Sequence, residues 1–447
     1  MAASRRSGLL ACVTVLVALA ACGAPLRDVS LPADGRCDHA TPAEWAPRAS
    51  ASLTTAPFTD RTPYDVGGNG AAIRLSPLRC TECSAVRSYP HPRRWPGGPE
   101  GIERMADRSF VYDNALFALL RLGEGEVAPA RQVLDALAAL QTDDGAWGFS
   151  FAIADDTFYN VAYQRTGVVA WVLLAMARYE AQKGEGRYVA AMRRAGAWLR
   201  DRHDRGTGLL RGGRGRWVED GARFEPDHAV VWASTEHNID AYFALREAAR
   251  VDSAADYLDA TALADAIEAR LWMPSAGIYG RGWRNGGIDA VVALDAAGTW
   301  SALFELARGR PERAAALLKR VDQLLGARVG AWRIWRPGDE QVSRAWFVEA
   351  SVARALVLHR LGRAAEAAAD LDQLARWACA GGTPLLYSSS WAKDFPMAPA
   401  VAPTAWFGLV AREVLGGEAW LWAAKPTPRA AAPLGPTAIA VAGRLKR

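Results

Sequence analysis

Residues 143–149 read DDGAWGF, a glycine turn that runs straight into a tryptophan and a phenylalanine. Related stretches recur downstream as GTGLLRGG (206–213), SAGIYGRGW (275–283), VGAWRIW (329–335) and GGTPLLYSS (381–389). Each sets glycine before an aromatic residue or leucine, at a period of roughly 50–70 residues, which marks a repeat architecture. Apolar residues at helical spacing fill the intervals. They predict helices over 103–122, 126–141, 164–182, 186–203, 232–250, 254–272, 291–308, 312–326, 342–361, 364–378 and 402–415, with no alternating strand run between them.

The connections fall into two alternating classes. Short ones, such as GEGEV after Leu122, KGEG after Gln182 and GRPE after Arg308, carry the glycine that ends a helix, and Pro311 starts the next. Long ones span 142–163, 204–231, 273–290, 327–341 and 379–401. Antiparallel helix pairs around a ring produce this alternation, with tight turns on one face and long loops on the other. The expected architecture is all-α: an (α/α)6 toroid of helical hairpins over 101–423, with the long loops on one face.

Composition narrows the partners. The net charge of +5 is not gathered into any basic run, so nucleic acid is not an expected partner. The 18 Trp bear on function, because an exposed indole is a common platform for the apolar face of a sugar, while a buried one only packs helices together.

The first residues read as an export signal. Arg5 and Arg6 precede the short apolar stretch GLLACVTVLVALAA, and SRRSGLL resembles a loose twin-arginine motif. The stretch ends in LAAC (19–22), which resembles a bacterial lipobox. Residues 1–21 are therefore expected to be removed, and Cys22 to carry the lipid that anchors the protein to a membrane outside the cytoplasm. Residues 22–100, rich in Pro, Gly and Ser, read as a tether and irregular arm, and the Ala/Pro-rich 424–447 as a disordered tail. In an oxidising compartment Cys37, Cys80, Cys83 and Cys379 are expected to form structural disulfides, with all three pairings open.

The glycine–aromatic turns, together with VYDNAL (111–116), STEHNIDAY (234–242), WFVEAS (346–351) and APTAWF (402–407), resemble the six-hairpin (α/α)6 glycosidase-like superfamily. That resemblance implies that acids at the starts of the inner helices supply a general acid and a general base. Glu236, Asp113 and Glu349 are the candidates, with Glu236 and Asp113 foremost; Asp295 is a further inner-helix carboxylate. Glu236 and Asp240 share a helix face, where like charges repel, but a helix N-terminus offsets that repulsion. Asn238 and Asp240 are read as bracing residues that also border the substrate, beside His237. Sugar-stacking candidates are Tyr112, Trp147, Tyr163, Trp232, Trp346 and Trp391, with Trp147 and Trp391 at the rim; Trp171, Trp300 and Trp406 are assigned to the core. No HExxH or similar paired-ligand spacing is present, so neither metal nor cofactor is expected, despite His228 beside Asp227. The acids and Asn in ADDTFYN (154–160) fit either sugar hydroxyls or a solvated loop.

These readings predict a carbohydrate-active enzyme, an inverting glycoside hydrolase acting on an extracytoplasmic poly- or oligosaccharide. A non-catalytic glycan-binding scaffold is the rival. A third reading, a terpenoid-cyclase-like enzyme, stands on the single Gln-x-x-x-Gly-x-Trp element at 141–147.

Overall fold

The computed structural model describes residues 41–57, 83–89, 108–152, 162–218, 223–329, 332–339, 345–381, 384–389, 397–417 and 419–422. Cys22, Cys37, Cys80, Trp391, the ADDTFYN segment, the export signal and the tail from 424 lie outside them.

Among the described residues there are twelve α-helices: α1 (Pro42–Ser52), α2 (Val111–Glu124), α3 (Val127–Leu140), α4 (Thr166–Lys183), α5 (Val189–Arg202), α6 (Thr235–Val251), α7 (Ala260–Leu271), α8 (Trp300–Ala307), α9 (Pro311–Leu325), α10 (Val348–Arg360), α11 (Ala364–Gly381) and α12 (Val401–Val414). A π-helical turn, Leu294–Thr299, leads directly into α8. The even-numbered helices form the inner ring, each packed on the next, and α12 closes back onto α2. Each inner helix has an outer partner: α3, α5, α7, α9 and α11 follow in sequence, and α1 packs on α12. The sixth hairpin is thus completed by a helix from the N-terminal arm. Arg121 of α2 ties it down, donating from Nη2 to the carbonyls of Ser50 (2.9 Å) and Leu53 (3.2 Å).

Sequence explains which helix lies where. α4 is buried along almost its whole length, as a helix walled in on all sides must be. α9 is amphipathic and buries only Ala314, Leu317, Leu318, Val321 and Leu325, a stripe at helical spacing. The short turns behave as their glycines dictate: Gly125 (φ +83°) and Gly184 (φ +64°) end α2 and α4 in the left-handed conformation.

The long-loop face departs from expectation. It carries short antiparallel ladders where no strands were foreseen: Arg108–Phe110 with Ser150–Ala152, Gln164–Arg165 with Gly213–Val218 and Arg223–Val230, Ala233–Ser234 with Gly282–Arg284 and Gly287–Asp289, and Gly326–Val329 with Trp332–Trp335. Most of these strands span two to four residues, too few for an alternating pattern to show in sequence. They also explain the shifted helix starts. α2 begins at Val111 rather than 103, because Arg108–Phe110 is paired as a strand.

The end of the chain's described part closes the ring opposite the long loops. After α12, Arg360 donates to the carbonyls of Leu421 and Trp422 (the latter at 2.8 Å) and Arg178 to that of Trp420 (2.7 Å). Trp422 stacks on Phe243 with centroids 4.6 Å apart and planes 5° from parallel. It also meets Trp171, Trp300 and Trp406 at 5.1, 5.5 and 5.6 Å. Those three Trp are 3%, 2% and 0% exposed, as a core role requires.

Candidate functional site

The inner helices present the same position to the long-loop face. Their second residues are Tyr112, Gly167, Glu236, Asp295, Glu349 and Ala402, taking the π turn as the start of the fourth. Three are carboxylic acids and a fourth, Tyr112, is followed by Asp113. Unpaired N–H groups and the helix dipole favour carboxylates at such positions. Gly167 leaves the space that a neighbour fills: a Cβ there would lie 2.5 Å from His237 Cδ2 and 3.0 Å from Asp240 Oδ2.

Acids from four hairpins therefore converge, and their titration reflects it. Burial first, then the charges of Asp295, Asp240 and Glu349, push the Glu236 carboxyl well above the usual range. Asp240 is likewise raised by burial, against the pull of Trp300, whose Nε1–H donates to Oδ1 at 3.1 Å. Asp295 is raised by burial and held back by the Ala296 backbone N–H at 2.5 Å. Burial lifts Glu349 to about 8, with Tyr112 O–H donating to it and Asp113 and Asp295 adding repulsion. Trp406 Nε1–H in turn donates to the Tyr112 oxygen at 3.0 Å. Asp113 rises to about 7 through burial, eased by a hydrogen bond from Ser88. Tyr89 and Tyr387, which sequence reasoning passed over, border the same acids, and both phenols are raised by burial and by Glu349 and Asp113.

Asp113, Glu236 and Glu349 thus share one site despite their separation in sequence. Accessibility divides them. Glu236 and Asp295 are part-exposed, as are Tyr89, Tyr112 and Tyr387, whereas Asp113, Asp240 and Glu349 are only 6%, 3% and 4% exposed. Asp295 deserved more weight in the sequence: it occupies the same helix position as Glu236.

Several expected ligand contacts are corrected. Trp147 is fully buried and donates Nε1–H to the Leu137 carbonyl at 2.6 Å, so it offers no ring face at the rim. Trp346 is 1% exposed, donates to Ser351 Oγ at 2.7 Å and packs on Trp332 and Trp377. Asn238 is fully buried; its amide donates to the carbonyls of Leu210 (3.1 Å) and Ser234 (2.7 Å) and accepts from Leu210 N–H (2.7 Å). It braces the loop before α6 and has nothing left for a substrate. The Gln141–Trp147 element is likewise a structural clamp, with Gln141 Nε2 bonded to the Gly145 (3.0 Å) and Ala191 (2.9 Å) carbonyls. A clamp of this kind positions a loop and gives the terpenoid-cyclase reading no site residue.

Tyr112, Tyr163 and Trp232 remain part-exposed. Tyr163 and Trp232 flank the Arg165 guanidinium, whose centre lies 3.8 and 5.9 Å from their rings. His237 packs on Trp232 at 5.9 Å, and burial with the Arg165 charge pulls its imidazole down to about 3. It is neutral at physiological pH. No group of three or more His, Cys, Asp or Glu among the described residues could hold a metal ion; His228 Nδ1 faces Glu225 at 3.9 Å. Cys83 is disulfide-bonded.

Comparison with known proteins gives fold but no sequence family. No family model matches the chain, and no curated protein matches it. Solved structures do. A wild-type glycosidase aligns over 84% of this chain and 97% of its own, with TM-score 0.54 and 14% identity. A D-mannose isomerase covers 69% and 88% at TM-score 0.51 and 13% identity. The cellobiose 2-epimerase from Bacillus thermoamylovorans B4167 covers 68% and 88% at TM-score 0.51 and 9% identity. The likeness shows the fold, an (α/α)6 toroid of helical hairpins. At such identities the likeness carries the architecture and no residue's role, because one superfold hosts many chemistries.

Proposed function

We propose that this protein is an inverting glycoside hydrolase acting on an extracytoplasmic poly- or oligosaccharide. One observation carries the reading: Glu236 is part-exposed at an inner-helix start, beside Asp295, Asp240 and Glu349, and burial with those charges raises its carboxyl well above the usual range. Hydrolysis needs one carboxyl that gives a proton and another that takes one. Glu236 protonates the glycosidic oxygen as its bond to the anomeric carbon breaks. Asp295, part-exposed like Glu236, is the second carboxyl and takes a proton from the water attacking the opposite face, whereas Asp113 and Glu349 are only 6% and 4% exposed. Asp295 and Glu236 start different inner helices, which allows the wider separation that inversion requires. Tyr112 fixes Glu349 and is itself fixed by Trp406.

The structural neighbours support a sugar as ligand. They include a glycosidase variant in complex with glucose and a bacterial glucoamylase complexed with acarbose. The test is a reducing-end release screen over a glycan panel, with Glu236→Gln alongside. The variant should lose about 10²–10⁴ in rate, the usual contribution of a positioned acid. Binding without release by both proteins would instead establish the glycan-binding scaffold, and equal activity in both would remove Glu236 from the mechanism.

A further inference from the structure

The strands Gly213–Val218 and Arg223–Val230 rise from the long-loop face and reach the acid site through Gln164–Arg165, the segment that leads into α4. The ladder slips register between Arg214 and Arg216, where Gly215 adopts φ +80°. A Cβ on Gly215 would lie 2.2 Å from the Ala162 carbonyl oxygen and 2.8 Å from the Phe224 ring. Such a bulge re-aims the side chains beyond it. Here it lets Phe224 lie down toward Tyr163, 6.2 Å away between ring centres. Trp217, the cross-strand partner of Phe224, rests on that ring at 4.8 Å and is 40% exposed.

The rings then run inward without a break. Phe224 meets Tyr163, Tyr163 lies under Arg165 at 3.8 Å, Arg165 reaches Trp232 at 5.9 Å, and Trp232 meets His237 at 5.9 Å. His237 adjoins Glu236. Isolated apolar residues on a surface need no explanation. Here, however, Trp217, Val231 and Ile288, three of the four large apolar residues exposed among those described, sit on strands or strand ends of this one face. The intervening arginines are already occupied: Arg216 and Arg223 share Glu225 at 2.6 and 2.9 Å, Arg214 pairs with Asp144 at 3.2 Å, and Arg165 donates to the carbonyls of Gln164, Arg214 and Gly215 at 2.8, 2.9 and 3.1 Å. A run of rings whose arginines are already held by carboxylates and carbonyls suits a neutral sugar chain, whose apolar faces stack on aromatic side chains.

We propose that Trp217 is the outer platform of a saccharide-binding track leading into the acid site, so that the protein grips a chain of several neutral sugar units. The track rests on the carbohydrate reading above and deepens it. Trp217 is separated from Glu236 by the whole run of Phe224, Tyr163, Arg165, Trp232 and His237, which places it beyond the unit being cleaved. Long chains reach it and disaccharides do not.

The experiment compares chain lengths. Gluco-, manno- and galacto-oligosaccharides of two to seven units are titrated calorimetrically into the Glu236→Gln protein, with and without Trp217→Ala. Trp217→Ala should weaken the longest bound series about tenfold and leave its disaccharide within about twofold, with Trp217→Phe recovering part of the loss. Equal affinity of the two proteins for every length, or equal losses at every length, would overturn the track while leaving the hydrolase reading intact. Absence of binding by any series would overturn both. Because Trp217 is solvent-exposed, unchanged thermal midpoints are expected and exclude unfolding as the cause.

Discussion

Glu349 offers a test of the crowded acids that needs no substrate. It is 4% exposed, and burial lifts its carboxyl from an ordinary 4.5 to about 8, with Asp113 and Asp295 adding to the rise. A raised acid binds its proton more tightly in the folded state. Its contribution is therefore fully present below pH 4.5 and is lost as pH rises through about 8. At about 1.4 kcal/mol per pH unit, the loss across that window reaches roughly 5 kcal/mol. Sharing of the repulsion with neighbouring acids lowers the figure for Glu349 alone to about 3 kcal/mol. Glu349→Gln keeps an oxygen to accept from Tyr112 O–H but has no proton to lose. Urea midpoints should match between wild type and variant at pH 4.5. They should diverge at pH 8 in the variant's favour, by the equivalent of about 3 kcal/mol. Midpoints that move in parallel from pH 4.5 to 8 would refute the reasoning, as would a variant less stable at pH 8.

Two further outcomes follow from other parts of the molecule. Trp422→Ala empties the contact with Phe243, Trp171, Trp300 and Trp406 and should cost about 3–5 kcal/mol, read as a lowered thermal midpoint; an unchanged midpoint would mean that the end of the ring does not depend on this plug. We also propose that the protein is exported and held at a membrane by lipid on Cys22. Cys22→Ser should then move it to the soluble fraction on cell fractionation, and a wild type that carries no lipid would end that proposal.

Much of the architecture was already written in local patterns. Helical spacing, glycine at the tight turns and the recurrent glycine–aromatic loops are short-range features, each enforced within a few residues by backbone sterics or by one buried stripe. They suffice to specify helix pairs and, through the two alternating connection lengths, a ring. The acids at inner-helix starts were legible for the same reason, since a helix N-terminus is a local electrostatic environment. Burial of aromatic side chains was not. Trp147 sits in a loop that reads as exposed, yet Gln141, Arg194 and the Leu137 carbonyl fold that loop inward, and residues 50 positions away complete its shell. Trp217 and Trp147 both belong to long loops, and only the packing of Phe224 and the bulge at Gly215 leaves one in solvent while the other is enclosed. Closure of the ring by α1, and of its base by Trp422, joins segments from opposite ends of the chain. Such contacts depend on which surfaces meet once all twelve helices are placed, and burial is a property of that assembly rather than of any window of sequence. The sequence alone determined the helical hairpins and the acids at their starts; tertiary structure decided which of those acids and rings a ligand can touch.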